Sequence, residues 1–129
     1  MFSHVMLGAD DVTASRRFYD ATLGALGMKP GREDDHGRVF YRGPTGVFGI
    51  TRPIDGGPAS CANGSTIGFA APSIEAADAW HAAGLANGGT ACENPPGIRE
   101  GMGVRLYLAY LRDPAGNKIC ALYRIPPEA

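Results

Sequence analysis

The chain carries one pattern twice. With His4 laid on Thr66, "HVMLGADDVTASRRFY" falls on "TIGFAAPSIEAADAWH" without a gap. Val5 meets Ile67, Leu7 meets Phe69, Asp11 meets Ser73, and Phe18 meets Trp80. Identity is low, but the physical role agrees position by position. A repeat of this kind restricts the fold to one supersecondary unit used twice. Each unit opens with a short alternating strand whose apolar residues, Val5 and Leu7 or Ile67 and Phe69, point to one face. Asp11 or Ser73 then offers a side-chain oxygen to the free N–H groups of a first helical turn. Ala14, Phe18, Ala21 and Ala25 recur at spacings of three and four, as do Ala76, Trp80 and Ala83, so a helix follows each strand. Gly27, Gly88 and Gly89 end the helices.

Strands come after each helix. "GRVFYRG" and "GVFGITRP" are joined by Gly43-Pro44-Thr45-Gly46, which predicts a hairpin. "RLYLAYLR" and "NKICALYR" flank Asp113-Pro114-Ala115-Gly116, with proline at the second turn position and glycine where positive φ is needed. A third strand of each unit is expected near 27–33 and 90–93. The reading is α+β, βαβββ twice, in a single domain over 1–129. Module one covers about residues 1–57, module two about 62–125, and residues 54–64 form the link.

Charge excludes some functions. Twelve basic and thirteen acidic side chains give a net charge of −1, and basic residues occur singly or in pairs, so nothing drives the chain toward nucleic acid or an anionic membrane. The start, MFSHVMLGADD, lacks a basic region followed by a long apolar run, and no stretch reaches the ~20 apolar residues of a membrane helix. Cys61, Cys92 and Cys120 are odd in number and form no CxxC pair. Free thiols and a cytoplasmic location are expected.

Two βαβββ units, an early His on the first strand, and "YLRDPAGNKI" near the end resemble the vicinal oxygen chelate superfamily: glyoxalases, bleomycin-resistance-type binding proteins and extradiol dioxygenases. The resemblance covers essentially the whole chain. It implies a curled mixed sheet with helices outside and a concave small-molecule pocket. It also implies a homodimer, sometimes with a pocket built from both chains. Enzymatic members hold a divalent metal there through four side chains, usually His or Glu, on the first and last strands of each unit. Those positions fall on His4, Gly49, Thr66 and Cys120 in this chain. One imidazole, one thiol, one hydroxyl and a bare backbone fall short of the three or four protein ligands a zinc site needs. The expectation is therefore a degenerate metal site, no cofactor, and a small organic ligand.

Alternatives stay open at this point. A metal-dependent lyase or dioxygenase of the glyoxalase type would need displaced ligands such as Glu33, Asp34 or Glu93. Cys120 is read first as a small buried hydrophobe, with a thiolate nucleophile activated by His4 as the sharper reading. His4 itself serves equally as a plain hydrogen-bonding residue in a pocket wall. His36 is expected in a solvated turn and His81 on a helix flank, with Phe18 and Trp80 in the core. "ENPPGIREGMGVR", residues 93–105, reads as a long loop over the site. Arg99 and Arg105 in it are either a clamp for an anionic ligand or surface charges. Ligand contacts are thus expected from His4, Thr66, Arg99, Arg105 and Cys120.

Overall fold

The computed structural model describes residues 1–128. Module one runs β1 (His4–Gly8), α1 (Val12–Ala25), β2 (Arg32–Glu33), β3 (Val39–Gly43) and β4 (Gly46–Thr51). Module two runs β5 (Ile67–Ala70), α2 (Ile74–Ala86), β6 (Thr90–Ala91), β7 (Gly97–Gly101), β8 (Val104–Arg112) and β9 (Lys118–Arg124). The strands form two mixed sheets. One has the order β1-β4-β3-β2, and the other has β5-β9-β8-β6 with β7 also paired to β8. In each sheet the first strand lies parallel to the last, β1 on β4 and β5 on β9, so the repeat seen in the sequence is a repeat of topology. Among the described residues no helix is long and apolar enough to cross a membrane.

Local chemistry sets the boundaries. Asp11 Oδ1 accepts from Ala14 N at 3.0 Å, and Ser73 Oγ accepts from Ala76 N at 3.0 Å, so both expected N-caps form. β3 and β4 close through the two residues Pro44 and Thr45. Between β8 and β9, Gly116 takes φ +95°, a conformation that disfavours any side chain.

The third strands fall within the expected ranges, as two-residue stubs, β2 and β6. Two expectations need correction. The supposed loop over 93–105 contains β7, paired antiparallel along β8 and turned by Met102 and Gly103, both at positive φ. Glycine and proline marked a turn, but the period-two alternation of "GIREG" was too short to read. The buried helix stripes are also rotated from those expected. In α1 they are Val12, Ser15, Phe18, Tyr19, Thr22 and Leu23, and in α2 Ala77, Trp80 and Gly84. Alanines drew the sequence reading toward one face, whereas the helix pair buries the face with glycine and small hydroxyls, where the two axes approach.

That approach is tight. A Cβ on Gly84 would run into Leu111 Cδ1 and lie 3.1 Å from Phe18 and 3.3 Å from Thr22. One core spans both modules, joining Phe18, Tyr19, Tyr41, Phe48 and Ile50 to Trp80, Leu111, Ile119 and Ala121. Tyr19 lies at its centre, 4.7 Å from the Phe48 ring and 6.3 Å from that of Phe69. Its hydroxyl donates to Asp113 Oδ2 at 2.6 Å, and burial with that carboxylate raises the phenol well above its ordinary range. Asp113 is only 3% exposed and accepts three more hydrogen bonds, from Ala115 N, Asn117 N and Asn117 Nδ2. Asn117 Nδ2 also donates to Gly8 O at the end of β1. The "DPAGN" turn of module two is thereby fastened to the first helix and first strand of module one.

Candidate functional site

Alternation along the strands divides each sheet into a helix-covered face and a helix-free one. In module one Val39, Tyr41, Phe48 and Ile50 join the core, so their alternating neighbours Phe40 and Gly49, with Met6 beside Gly49, take the other face. In module two Ile119 and Ala121 join the core, and Gly68, Tyr110 and Cys120, paired across three strands, take the other face. All four positions that matter for a metal in the resemblance fall on or at the ends of these helix-free faces: Gly49 and Cys120 within the strands, His4 at the start of β1 and Thr66 just before β5.

The donors there do not fit a metal. A Cβ on Gly49 would lie 2.5 Å from Met6 Sδ and 3.0 Å from Phe40, so the space a ligand side chain would need is filled by a thioether and an aromatic ring. Gly68 on β5, two residues after Thr66, has Cys120 Sγ 3.2 Å from its Cβ position. Among the described residues no group of three or more His, Cys, Asp or Glu side chains converges closely enough to hold an ion. The displaced ligands are engaged elsewhere or isolated. Asp34 accepts from His36 N, Arg38 N and Arg38 Nε, Glu93 pairs with Lys118, and Glu33 stands exposed on β2. Sequence reasoning missed Met6, although its place two residues after His4 on the same strand puts it on the same face.

Cys120 is 5% exposed, and burial pushes its thiol up to about 11. No hydrogen bond joins it to His4, whose Nδ1 lies 2.8 Å from Ser3 Oγ. A raised thiol pKa is the reverse of what a nucleophile at neutral pH requires. The expected result is that Cys120 resists iodoacetamide at pH 7.5 while exposed Cys61 reacts, Cys120 lagging by roughly 100-fold or more. The sign of the linked stability follows. An unfolded chain would release this proton near its ordinary 9.0 and the folded one only near 11, so the contribution of Cys120 is intact below about pH 9 and lost between the two. Peptide mapping after timed alkylation, repeated across that range, checks both statements.

A cleft of about 650 Å³ opens where the modules adjoin. Val5, Tyr41 and Phe48 of module one and Ile67 and Phe69 of module two form its walls, Leu26 and Met28 close one side, and His4 stands at its mouth. The Tyr41 hydroxyl is engaged outside it, donating to Asp20 Oδ1 at 2.7 Å, so the ring presents carbon to the cleft. The volume and the mainly apolar lining with few polar groups are those of a small-molecule site.

The other expected contacts are scattered. Thr66 precedes the cleft residue Ile67 and is exposed. Arg105 pairs with Glu100 at 3.3 Å and lines a separate surface depression with Arg124 and Glu128. Arg99 donates to the carbonyls of Asn94, Pro95 and Gly97, so the two arginines do not converge as a clamp. His36 is exposed in a turn, and His81 is half-buried on α2 with its pKa lowered by burial.

Paired modules, βαβββ in the first and the same with β7 added in the second, with a joint core and a cleft at their seam, define a class of protein in which one scaffold carries many small-molecule chemistries. The chain belongs to the Glyoxalase/Bleomycin resistance protein/Dioxygenase superfamily, whose family model matches residues 1–121. It is similar, at 64% identity and a TM-score of 0.92, to the crystal structure of a glyoxalase/bleomycin resistance protein from Albidiferax ferrireducens, covering 96% of this chain and 99% of that one. A glyoxalase/bleomycin resistance protein/dioxygenase family enzyme from Burkholderia phytofirmans shares the fold at 18% identity and TM-score 0.70, with 95% and 98% covered. A lactoylglutathione lyase from Agrobacterium tumefaciens shares it at 23% and 0.59, with 95% and 92% covered. Comparison with the curated proteins gives no match.

Proposed function

We propose that this chain is a small-molecule-binding member of the superfamily that works without the divalent metal of its enzymatic relatives. The observations that carry the reading are the filling of the space above Gly49 by Met6 and Phe40 and, on the other face of the same sheet, a seam cleft large enough for a small organic ligand. The ligand is apolar in its body, since the walls offer aromatic and aliphatic carbon. It carries a polar group at the end that reaches His4, whose imidazole donates or accepts there. Binding is driven by removal of apolar surface from water. No step of bond making is supported by the donors present, and Cys120 serves as packing. The chain acts as a homodimer in the cytoplasm, a reading supported by the family resemblance and, for location, by its three free thiols.

The test is a thermal-shift survey of small neutral aromatics and alicyclic alcohols in the presence of chelator. A binder raises the Tm of the wild type, and Ile67→Trp, which crowds the cleft, removes most of that rise when it is measured against the variant's own ligand-free Tm. A binder whose effect needs added metal, or survives crowding of the cleft, would overturn the proposal.

A further inference from the structure

The link between the modules holds a reactive pair that neither the core nor the cleft uses. An asparagine followed by glycine is open to attack by its own backbone, because glycine has no side chain to hinder the approach and turns freely about φ and ψ. Of the asparagines in the chain, Asn63 and Asn87 precede glycine. Asn94 precedes Pro95, which has no N–H to lose. Asn117 is buried with its amide committed to Gly8 O and Asp113 Oδ2. The dipeptide is the same at 63 and 87, and the fold separates the two.

Asn87 is the C-cap of α2. Its Nδ2 donates to Ala83 O at 2.8 Å, its backbone N–H donates to Gly84 O at 3.1 Å, and Gly89 N donates to that same carbonyl at 2.8 Å. Gly88 lies against Pro114, and a Cβ on Gly89 would run into Phe18. Gly88 N therefore reaches the Asn87 side chain only if the cap opens, which costs free energy. Asn63 stands in the opposite condition. Every residue from Cys61 to Ser65 is exposed. The turn is closed by Ser65 N on Ala62 O at 3.5 Å, the outer limit of a hydrogen bond, and by Ser65 Oγ on that carbonyl at 3.1 Å. Both bonds fasten Ala62 O, and among the described residues the Asn63 amide has no partner. Gly64 takes φ +96° with nothing within 4 Å of its Cβ position, so the peptide after Asn63 turns in open solvent.

From this contrast we infer that Asn63 is a site of spontaneous covalent modification, a deamidation that makes the link between the modules acidic while Asn87 stays intact. Gly64 N gives its proton to water or hydroxide and forms a bond to Asn63 Cγ. The side-chain nitrogen takes up a proton and leaves as ammonia. Water then opens the succinimide ring at either carbonyl, giving aspartate or a β-linked isoaspartate. One water is consumed and one ammonia released, with no other reactant. The formal net charge of the chain passes from −1 to −2. The change falls ahead of β5 in an exposed turn, so the fold accepts the new carboxylate.

The full chain is incubated at mildly alkaline pH, folded and in urea, and the Asn63 and Asn87 peptides are followed by mass spectrometry. In the folded chain the Asn63 peptide converts at least about tenfold faster than the Asn87 peptide, because it reacts without local opening. In urea the Asn87 peptide speeds up to within about threefold of the other, since its cap is gone. The converted protein elutes later on anion exchange and keeps its Tm. Asn63→Gln, whose longer side chain would have to close a six-membered ring, loses most of the acidic species. Equal conversion of Asn63 and Asn87 in the folded chain, or a rate at Asn63 that urea raises as much as the rate at Asn87, would overturn the inference. Both comparisons are made within the wild-type chain and do not depend on how the variant folds.

Discussion

Asp113→Ala lowers the stability of the fold by about 3–5 kcal/mol, the largest loss expected from any single polar truncation in this chain. The carboxylate is almost fully buried and accepts from Tyr19 Oη, Ala115 N, Asn117 N and Asn117 Nδ2. Removing it leaves a buried phenol and two backbone donors without acceptors, each at a cost near 1–3 kcal/mol when water cannot replace the lost partner. Part of the loss is recovered because the carboxylate need no longer be desolvated. Asp113→Asn keeps some acceptors and costs less. Since Asn117 also holds Gly8 O, the alanine variant loosens the junction of the modules as well as its own turn. Urea unfolding with hydrogen exchange at Gly8–Asp11 measures both effects. An alanine variant within about 1 kcal/mol of wild type would show that the turn is no junction.

Gly84→Val is the second large effect, expected to cost about 3 kcal/mol. A Cβ there meets Leu111 Cδ1, with Phe18 and Thr22 close behind, and Leu111 has no solvent to move into because it is fully buried. The substitution gains a few tenths of a kcal/mol of helix propensity over glycine, too little to offset the overlap. Gly84→Ala gains about 1 kcal/mol in propensity and carries a smaller overlap, so it lies much nearer to wild type. The ordering Gly, then Ala, then Val in Tm separates crowding from propensity, because propensity alone would place glycine last.

Much of this architecture could be read from the residues. The alignment of His4 on Thr66 already contained both strands, both caps and both helices, and the turn at 113–116 announced its hairpin. These are local signals: period, cap chemistry and a glycine at positive φ. What escaped the sequence depends on contacts between distant segments. Nothing in the local sequence marks Gly84 as constrained, and only the tertiary fold sets Leu111 against it. Met6 looked like one more apolar strand residue until parallel pairing placed it over Gly49. Asp113 and Asn117 looked like turn chemistry alone, and only the tertiary fold brings Tyr19 and Gly8 to them. The expected ligand set mixed two regions for the same reason. His4 stands at the mouth of the seam cleft, Cys120 and Arg99 belong to the helix-free face of module two, and Arg105 is paired off at the hairpin edge.

The central statement is that the helix-free face of module one offers an incoming ion sulfur and carbon where other members place oxygen or nitrogen. Elemental analysis of protein purified without chelator, then dialysed against Mn, Ni, Zn and Fe in turn, addresses it most directly. The account predicts substoichiometric metal in every case and an unchanged Tm. One tightly held ion per chain, lost on His4→Ala, would contradict it.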